Sequence, residues 1–593
     1  MIGNTFASNV KSVVRLFPDA AQMVLSSAVP FSRHFSTGIK KERVLPLSNN
    51  AEGVRASIAN QAPRDALQTL ALAFKQGTLT DRETIMLTTP EHLSGFLSSS
   101  LNVSGVTDSD VIKKPNPGFG APGAATGKVA LSVTEADKYI KAGQQYIFVL
   151  KETHPEHMDY IKKANGVVTF EGGVTSHASI VARQMGKPAI IGTGQLSLKN
   201  GQVISIDGLS ALIFSREFSI CNPDPENEAL RKILAIADNI QVDKVHKIKV
   251  KANVDTPEDA LKARALGAEG IGVVRTEHMF FGSERLPHMQ AMIMAQNEEQ
   301  RRTALDILFP MQKEDFKGIL RAMHELPVTI RLLDAPLHEF MPDDSKQAEA
   351  FKESNPMLGN RAVRLNIQNP EIYKMQVRAI LTAAAELAKE GVKVQPQIMI
   401  PLVHTVGEVN FCKNQIAEVA KELESTEGAE ITFKVGVMVE LPGACLEASE
   451  IAPRVDFFSF GTNDLTQTTL GLSRDDTAPG IALYINCHIY KFDPFQTIYP
   501  SVGTLMHTAI TKGKLANPCL DISVCGEHGG DPVSIRTFQA LRVDSVSVSP
   551  PRIPLAKLSV AQAMLEEHAK TIHKFRDAVL DKRQSHSTLQ STR

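Results

Sequence analysis

Short β-branched runs alternate with long helical patterns over the second half of the chain. Eight such runs occur, at 249–254, 270–275, 328–333, 397–401, 435–440, 457–464, 522–527 and 545–549. Because each parallel strand is followed by a crossover helix, eight strand–helix units predict a closed (β/α)8 barrel. An open doubly wound sheet is the structural alternative.

A smaller α/β pattern precedes the predicted barrel. Its candidate strands are 127–131, 146–150, 166–169, 189–191 and 204–206, and a helix is predicted from Ser176 to Met185. Further upstream the pattern predicts four helices, at 56–61, 64–75, 80–87 and 90–98. Asp81 and Glu91 favour two of these helix starts, because acidic side chains stabilise helix N-termini.

These patterns predict the α/β fold class and a division of the chain into six segments. A segment rich in proline and glycine, 113–125, marks the main boundary. The predicted segments are an N-terminal extension (1–54), a helical linker segment (55–112), a compact α/β domain (113–216), a linker (217–244), the barrel (245–575) and a polar tail (576–593).

Composition changes this picture little. The chain has 593 residues, 43% hydrophobic and 22% charged, and a net charge of −1, which are values typical of a globular protein. Because no strong overall field exists, neither nucleic acid nor a membrane surface is an expected partner. The six cysteines form no CxxC pair, which favours a reducing compartment, and most are expected to be core residues.

The N-terminal extension is basic and rich in serine. Residues 1–41 contain one acidic residue, Asp19, and five basic ones, namely Lys11, Arg15, Arg33, Lys40 and Lys41. This composition is typical of a mitochondrial presequence, although a terminal extension of no such role explains it equally. We therefore expect a cytoplasmic location, or a mitochondrial one if this segment is a presequence.

Functional side chains occur where the predicted barrel strands end. They are Arg275, Arg331, Glu440, the pair Asn463 and Asp464, and Cys525. Since the carboxyl ends of barrel strands meet at one mouth, these side chains are predicted to form a site there. Ion pairs between neighbouring strands are the structural alternative, because an unpaired buried charge is costly.

The residue types indicate the chemistry. The arginines have forked donors that suit phosphate or carboxylate oxygens. The carboxylates of Glu440 and Asp464 are hard ligands that suit Mg²⁺, and the thiol of Cys525 could move a proton. Together they predict a site for a small phosphorylated carboxylic acid on a metal, with proton delivery to one of its carbons.

Five motifs of the barrel resemble those of the pyruvate, phosphate dikinase family. They are GIGVVRTEHMFF (270–281), RLLDAPLHEF (331–340), NPMLG (355–359), FSFGTNDLTQ (458–467) and CGEHGGDP (525–532). Enzyme I of the bacterial sugar phosphotransferase system is similar, more distantly. The resemblance starts near residue 55 and covers most of the chain.

The resemblance implies roles for individual residues. Arg275 and Arg331 would hold the phosphoryl group of phosphoenolpyruvate, Glu440 and Asp464 would bind Mg²⁺, and Cys525 would protonate the methylene carbon of the enolate. Substrate contacts are implied for Gly461, Thr462 and Asn463. Arg361 and Arg474 match further arginines of enzyme I that bracket the site, but surface salt bridges remain open for these two.

A second motif, EGGVTSHASIVARQMGKP (171–188), precedes the barrel. Its glycines predict a tight loop, and Thr175 or Ser176 would cap a helix that has His177 in its first turn. Free N–H groups and the helix dipole would stabilise an anion there. The motif resembles the swivelling phosphohistidine domain of the dikinases, which implies that His177 is the catalytic phosphoryl carrier.

No stretch resembling the ATP-grasp domain of the dikinases is recognised before the histidine motif. We therefore expect the phosphoenolpyruvate half-reaction, which forms pyruvate, and a separate ATP-grasp subunit is one expected partner. An enzyme I-like donor to another protein and a non-catalytic binder of phosphoenolpyruvate or pyruvate are the alternatives. A homodimer formed through the barrel is also expected.

Overall fold

The computed structural model describes most of the chain between residues 47 and 569. The described ranges are 47–59, 61, 63–102, 106–107, 109–112, 119–151, 157–171, 187–242, 245–282, 284–334, 336–341, 353–427, 431–474 and 477–569. The possible presequence (1–41), the predicted helix from Ser176 to Met185 and the polar tail lie outside these residues, and so does His177.

Nine strands precede the barrel in the part of the chain that the structure describes. They are β1 (Ser100–Leu101), β2 (Phe119–Ala121), β3 (Ala124–Ala130), β4 (Tyr146–Leu150), β5 (Gly166–Thr169), β6 (Ala189–Ile191), β7 (Val203–Asp207), β8 (Leu212–Phe214) and β9 (Ile220–Cys221). Seven of them form a mixed sheet in the order β2-β6-β5-β4-β3-β7-β8, whereas β1 pairs with β9. All five strands predicted in this region are confirmed. The short β2 and β8 were missed because neither shows an alternating pattern.

Strand β4 lies at the centre of that sheet and is buried along its whole length. Tyr146 and Phe148 belong to the apolar cluster on one face, while Ile147 and Val149 belong to the cluster on the other. Successive side chains of a strand point to opposite faces, so a continuous apolar run here is the signature of a strand covered on both sides.

Eight parallel strands close into a barrel. They are β10 (Lys249–Val254), β11 (Ile271–Arg275), β12 (Pro327–Arg331), β13 (Gln395–Ile400), β14 (Lys434–Val439), β15 (Phe457–Phe460), β16 (Asp521–Val524) and β17 (Ser545–Val548). Closure is made by β17, which pairs with β10 in register from Lys249↔Ser545 to Ala252↔Val548. The predicted (β/α)8 barrel is confirmed, and the open doubly wound sheet is excluded.

Helices accompany both the mixed sheet and the barrel. Their bounds are Asn49–Ile58, Pro63–Lys75, Asp81–Leu87, Pro90–Leu97, Val133–Lys141, Met158–Lys163, Glu228–Asn239, Pro257–Ala265, Leu286–Met294, Glu298–Ala322, Ala362–Gln368, Glu371–Lys389, Val406–Glu427, Pro442–Leu446, Ala448–Ile451, Thr462–Leu470, Ala478–Asn486, Pro500–Ala516 and Pro532–Ala540, followed by a helical run over 553–569. Among the described residues no helix has the length and apolarity needed to cross a membrane.

The four helices between residues 49 and 97 pack against the barrel. Their buried residues belong to the same apolar cluster as the barrel strands, and the Gln562 amide donates to the carbonyls of Ile85 and Thr88 at 3.0 and 2.9 Å. Helix Glu228–Asn239, which falls in the predicted linker 217–244, buries Leu230 in this cluster. That stretch is therefore a packed helix for much of its length.

Two barrel strands end three or four residues before their predicted ends. The sixth barrel strand, predicted to reach Asp464, ends at Phe460, and a helix begins at Thr462. The seventh ends at Val524, before Cys525. The reason is that Gly461 interrupts the apolar run, and Asp464 favours the first turn of a helix, where its charge meets the helix dipole.

The cysteine prediction was also partly wrong. All six cysteines are free, but only Cys412 and Cys445, besides Cys525, are buried. Cys487 and Cys519 are exposed, because they lie on outer segments. The apolar content of the sequence alone did not distinguish these segments from the core.

Candidate active site

A cavity of ≈ 290 Å³ occupies the carboxyl end of the barrel. The loops after five of the eight strands contribute to its wall, together with Asn253 on strand β10, as expected for a (β/α)8 barrel. The predicted site residues that line it are Arg275, Arg331, Arg361, Glu440, Gly461, Asn463, Asp464 and Cys525. The structure thus brings eight of the predicted residues to one mouth.

Asp334 joins two of the mouth arginines. Its carboxylate accepts both the Nε and Nη2 hydrogen bonds of Arg361, at 2.6 and 2.9 Å, and lies 3.0 Å from Arg331 Nη1. Burial raises the pKa of Asp334, but Arg361 and Arg331 outweigh burial and hold that pKa below its usual range. Asp334 is therefore a charged link between the two guanidinium groups.

Both linked arginines have a second carboxylate partner. Arg331 pairs with Glu277, and Arg361 Nη2 lies 3.2 Å from Asp464 Oδ2. Arg361 is buried, so the alternative of a surface salt bridge is excluded for it. Since Arg331 and Arg361 are held by bidentate or paired contacts, their orientation is set before any ligand binds.

Arg275 is held less firmly than the other two arginines. Its Nε lies 3.6 Å from Asp255 Oδ1 and has no hydrogen-bond partner among the described residues. Asp255 is engaged instead by His278 Nδ1 at 2.8 Å. The guanidinium of Arg275, about one-third exposed at 34%, is thus free to donate to an oxyanion in the cavity.

Glu440 and Asp464 lie together in the mouth. Burial raises the pKa of Glu440 well above its ordinary value, and Asp464 and Asp334 raise it further, against the opposing effect of Arg331 and Arg361. Glu440 Oε1 accepts the Leu402 N–H at 2.8 Å. Two carboxylates that repel each other in a buried position would be stabilised by a divalent cation between them.

The donor set fits Mg²⁺. Among the described residues no cluster of three or more His, Cys, Asp or Glu side chains could hold a metal ion. Mg²⁺, however, commonly binds through one or two carboxylates, and waters and substrate oxygens complete its octahedron. Glu440 and Asp464 supply such a pair.

Gly461 keeps space open beside Glu440. A Cβ built at Gly461 would lie 2.6 Å from Glu440 Oε2 and 3.0 Å from Met438 Sδ. Any larger residue would therefore displace the glutamate or the wall of the cavity.

The thiol of Cys525 is protonated at neutral pH. Burial raises its pKa to about 11; the neighbouring Ser459 hydroxyl and the more distant Arg331 lower it, and Glu440 raises it. Its Sγ lies 3.7 Å from the Phe460 carbonyl oxygen. A protonated thiol that borders the cavity is suited to donate a proton rather than to act as a nucleophile.

The loop after β16 packs closely on the start of helix Thr462–Leu470. A Cβ on Gly526 would fall 2.0 Å from Thr462 Oγ1, so only glycine allows this approach. The Glu527 N–H donates to Asn463 Oδ1 at 3.0 Å. These contacts fix the position of the Asn463 amide at the mouth.

His528 positions the side chain of Thr462 through a hydrogen bond. Its Nε2 lies 2.9 Å from the Pro494 carbonyl oxygen, which can only accept, so Nε2 carries the proton. Its Nδ1 then accepts the Thr462 hydroxyl at 2.8 Å. Burial lowers the pKa of His528, which keeps the imidazole neutral in this role.

Three predicted residues are not on the cavity wall. Thr462 is fully buried beneath it, and Arg474 lies outside the lining although its backbone N–H donates to Gln467. His177 lies outside the described residues. The roles of these three residues, like those of the eight at the mouth, therefore stay predictions.

Sequence reasoning missed the acids that organise the arginines. Asp334, Glu277 and Asp255 were not singled out, although Asp334 follows Arg331 by three residues in the RLLD motif. A carboxylate directly after a strand that ends in arginine was the available signal.

The fold and this mouth define a class, namely an α/β protein with an oxyanion site at the end of a closed barrel. Comparison with known families specifies it further. The model for the PEP-binding domain of PEP-utilising enzymes matches residues 231–565, and the model for their mobile domain matches 142–211. The first covers more than half of the chain, so the chain belongs to the PEP-utilising enzyme family.

Curated relatives agree with this assignment. The chain is 37% identical to chloroplastic pyruvate, phosphate dikinase 1 of Arabidopsis thaliana, over 94% of this chain and 60% of the relative. It is 40% identical to the pyruvate, phosphate dikinase of Rhizobium meliloti (85% and 59%) and 41% identical to that of Rickettsia prowazekii (85% and 60%). The chain thus spans about 60% of the length of these relatives.

Proposed function

We propose that the chain transfers a phosphoryl group between phosphoenolpyruvate and its own His177, with formation of pyruvate, as the phosphoenolpyruvate half of a pyruvate, phosphate dikinase. The observation that carries the proposal is the barrel mouth, where three arginines, the carboxylates of Glu440 and Asp464 and a protonated thiol border one cavity. Membership of the PEP-utilising enzyme family supports the substrate class.

The arginines would bind the phosphoryl group. Arg275 is the least engaged of the three and would donate its free guanidinium N–H groups to phosphoryl oxygens, beside the fixed fork of Arg331. Forked donors match phosphate geometry and stabilise the charge that develops during transfer. Asn463 and the backbone at Gly461 and Thr462 would contact the carboxylate end of the substrate.

Mg²⁺ is the proposed cofactor, held by Glu440 and Asp464. When bound, it would coordinate substrate oxygens and neutralise the charge that builds up on them. Its positive charge would also keep the two carboxylates ionised, because it would oppose the burial and the repulsion by Asp464 that raise the pKa of Glu440.

The proposed reaction moves the phosphoryl group to His177 and a proton from Cys525 to the enolate. A ring nitrogen of His177 attacks phosphorus, the bond between phosphorus and the enol oxygen breaks, and the electron pair passes into the enolate of pyruvate. The methylene carbon of the enolate takes the proton of Cys525 Sγ, and the resulting thiolate recovers a proton from water. The pKa of about 11 means that the thiol has this proton at neutral pH.

The proposal includes partners and compartment. A separate ATP-grasp subunit would exchange the phosphoryl group with phospho-His177, and a homodimer would form through the barrel. A cytoplasmic location is proposed, or a mitochondrial one if 1–41 is a presequence. Two alternatives would remove the need for an ATP-grasp subunit. They are enzyme I-like transfer to another protein and a binding-only role.

Incubation with phosphoenolpyruvate labelled on phosphorus tests the proposed function. Wild-type protein with Mg²⁺ should release pyruvate and become labelled on His177, as located by peptide mapping at alkaline pH. His177→Asn should abolish the label, whereas His488→Asn, at an exposed position outside the mouth, should not. Binding of phosphoenolpyruvate without any label on wild-type protein would contradict the proposal and favour a binding-only role.

A further inference from the structure

A second cavity opens at the other end of the barrel. Its volume is ≈ 780 Å³, within the range of ligand pockets. The first residues of six barrel strands line it, namely Lys249, Pro327, Gln395, Lys434, Asp521 and Ser545. We call it the base cavity, because it lies at the amino-terminal ends of the strands.

Lys251 is buried in the base cavity without a partner. The residue is 5% exposed and lines the cavity, and its ammonium makes no hydrogen bond or ion pair with any described residue. Burial lowers the pKa of Lys251, against the opposing effect of Asp521. A buried ammonium without a counter-ion is costly, so this position favours a bound negative charge.

Two other donors border the same space. The hydroxyl of Ser545 is buried and has no hydrogen-bond partner among the described residues. Gln397 Oε1 accepts the Thr329 hydroxyl at 2.8 Å, which leaves the NH2 group of Gln397 to donate. An ammonium, a hydroxyl and an amide all donate, so a ligand that only accepts hydrogen bonds complements them.

Lysines around this cavity fall into two groups. Lys247 donates to the Asp238 carbonyl, and Lys514 lies 3.3 Å from Asp544, so both are engaged. The other three that line the cavity are Lys249, Lys251 and Lys434.

Most carboxylates of the cavity are also engaged. Glu269 Oε2 accepts the Val250 N–H at 2.8 Å, and Asp544 Oδ2 accepts the Ile522 N–H at 2.8 Å. Glu325 is 63% exposed at its side chain and points to the rim, 4.0 Å from Lys393. A hydrogen bond from a backbone N–H leaves a carboxylate charged, so all four acids of the lining, Glu269, Glu325, Asp521 and Asp544, oppose its lysines. Five lysines face these four carboxylates, which leaves a net positive charge that favours an anion.

An apolar layer separates this cavity from the mouth. Val273, Met399, Met438, Phe457 and Cys525 form one buried cluster inside the barrel, and three of them also line the mouth. On strand β10, Asn253 borders the mouth whereas Lys251, two residues earlier, borders the base. A ligand at the base would thus not touch the proposed reaction site.

We propose that the base cavity binds a small phosphate anion, either inorganic phosphate or a phosphomonoester. Its oxygens accept from Lys251, Ser545 and Gln397, while Lys249 and Lys434 attract it from the entrance. Lysine is a common phosphate ligand that acts as a point charge. This site is separate from the proposed phosphoryl transfer and does not rest on it.

Calorimetric titration with inorganic phosphate at constant ionic strength tests this site in the full chain. Lys251→Met should weaken one binding step by at least about tenfold, the usual scale for a lost charge-assisted hydrogen bond. Lys374→Met, which removes an exposed lysine paired with Glu418 on an outer helix, should bind as wild type does. Arg275→Met should affect phosphate at the mouth only and leave the base step intact.

Three results would overturn the proposal. They are equal phosphate binding by Lys251→Met and Lys374→Met, loss of all phosphate binding in Arg275→Met, and no tightening in Asp521→Asn. The last variant removes one opposing carboxylate without touching Lys251, so it decides the question even if Lys251→Met does not fold. Repeating the titration with glycerol 3-phosphate distinguishes a monoester site, which binds it, from a site for the free ion, which rejects it.

Discussion

The two ends of the barrel bury positive charge in opposite ways. At the mouth, Arg361 is buried and the Arg331 side chain is only 13% exposed; both lie beside Glu277, Asp334 and Asp464, and each makes at least two ion pairs. At the base, Lys251 is as deeply buried and has no such partner among the described residues.

This difference indicates two kinds of anion site. Carboxylates at the mouth compensate the arginines before a ligand arrives, so the donors are held in position and their orientation costs nothing when substrate binds. At the base the counter-charge is missing, so the folded protein is destabilised until an anion supplies it. The first arrangement suits catalysis and the second suits binding alone.

The largest expected effect comes from removing the charge of Asp334, which compensates the arginines at the mouth. Asp334→Asn should lower the free energy of unfolding by about 3–5 kcal/mol, because it leaves Arg331 and Arg361 undercompensated in a buried position. Urea unfolding followed by circular dichroism measures this. Asp159→Asn is the control, since its partner Lys162 lies at 3.6 Å on the surface, and it should leave the midpoint unchanged. Equal effects of both variants would mean that Asp334 does not organise the mouth.

Cys525 tests whether the mouth is a reaction site. Cys525→Ala should slow the exchange of pyruvate methyl protons with solvent by about 10²–10⁴-fold, the contribution typical of a general acid or base. Proton NMR of pyruvate in heavy water measures the exchange. Cys487→Ala, which removes an exposed thiol, should exchange at the wild-type rate. An unchanged rate in Cys525→Ala would assign the proton to another group.

The close contact at Gly526 tests how rigid the mouth must be. Gly526→Ala places a Cβ 2.0 Å from Thr462 Oγ1 and should cost about 1–3 kcal/mol of stability, as overpacking does. Weaker phosphoenolpyruvate binding should accompany the loss, because Thr462 and Asn463 must move. Gly480→Ala has open space around its Cβ within a helix, so it should neither lower stability nor weaken binding. A stable Gly526→Ala with normal binding would show that this loop tolerates displacement.

The smallest expected effect has the opposite sign. Without phosphate, Lys251→Met should raise the free energy of unfolding by about 1 kcal/mol, because it replaces an uncompensated buried charge by an apolar chain. The pKa of Lys251 is lowered from 10.5 in the folded state, so the unfolded chain binds the proton more tightly. The penalty in wild type is therefore full below the folded-state pKa of Lys251 and fades as pH rises from there towards 10.5.

Thermal unfolding at several pH values and phosphate concentrations measures this last prediction. The difference between Lys251→Met and wild type should narrow as pH rises, and added phosphate should reverse it by stabilising wild type through mass action. A variant that is less stable than wild type at neutral pH without phosphate would mean that Lys251 is compensated in some other way.

Much of the fold was predictable. The eight barrel strands were placed within a few residues, because β-branched runs between helical patterns are a strong local signal. The ends of the sixth and seventh strands were misplaced, since their last residues belong to turns whose shape depends on packing against each other, as at Gly526 and Thr462.

The residues of the candidate site were predictable, but the ion pairs between them were not. Strand ends named Arg275, Arg331, Glu440, Asp464 and Cys525, since parallel strands present their carboxyl ends at one mouth. Local spacing could not predict that Arg361 reaches Asp464, 103 residues further along the chain. Nor could it reveal Lys251, which in the run KVKANV looks like any polar strand residue.

The order of strands and helices, and the residue types at the strand ends, follow from the amino-acid sequence alone, because periodicity and side-chain chemistry are local properties. Which buried charges are paired follows from the closed barrel, because a pair needs two side chains from distant elements within about 4 Å. Closure placed Asp334 between two arginines at one end and left Lys251 alone at the other.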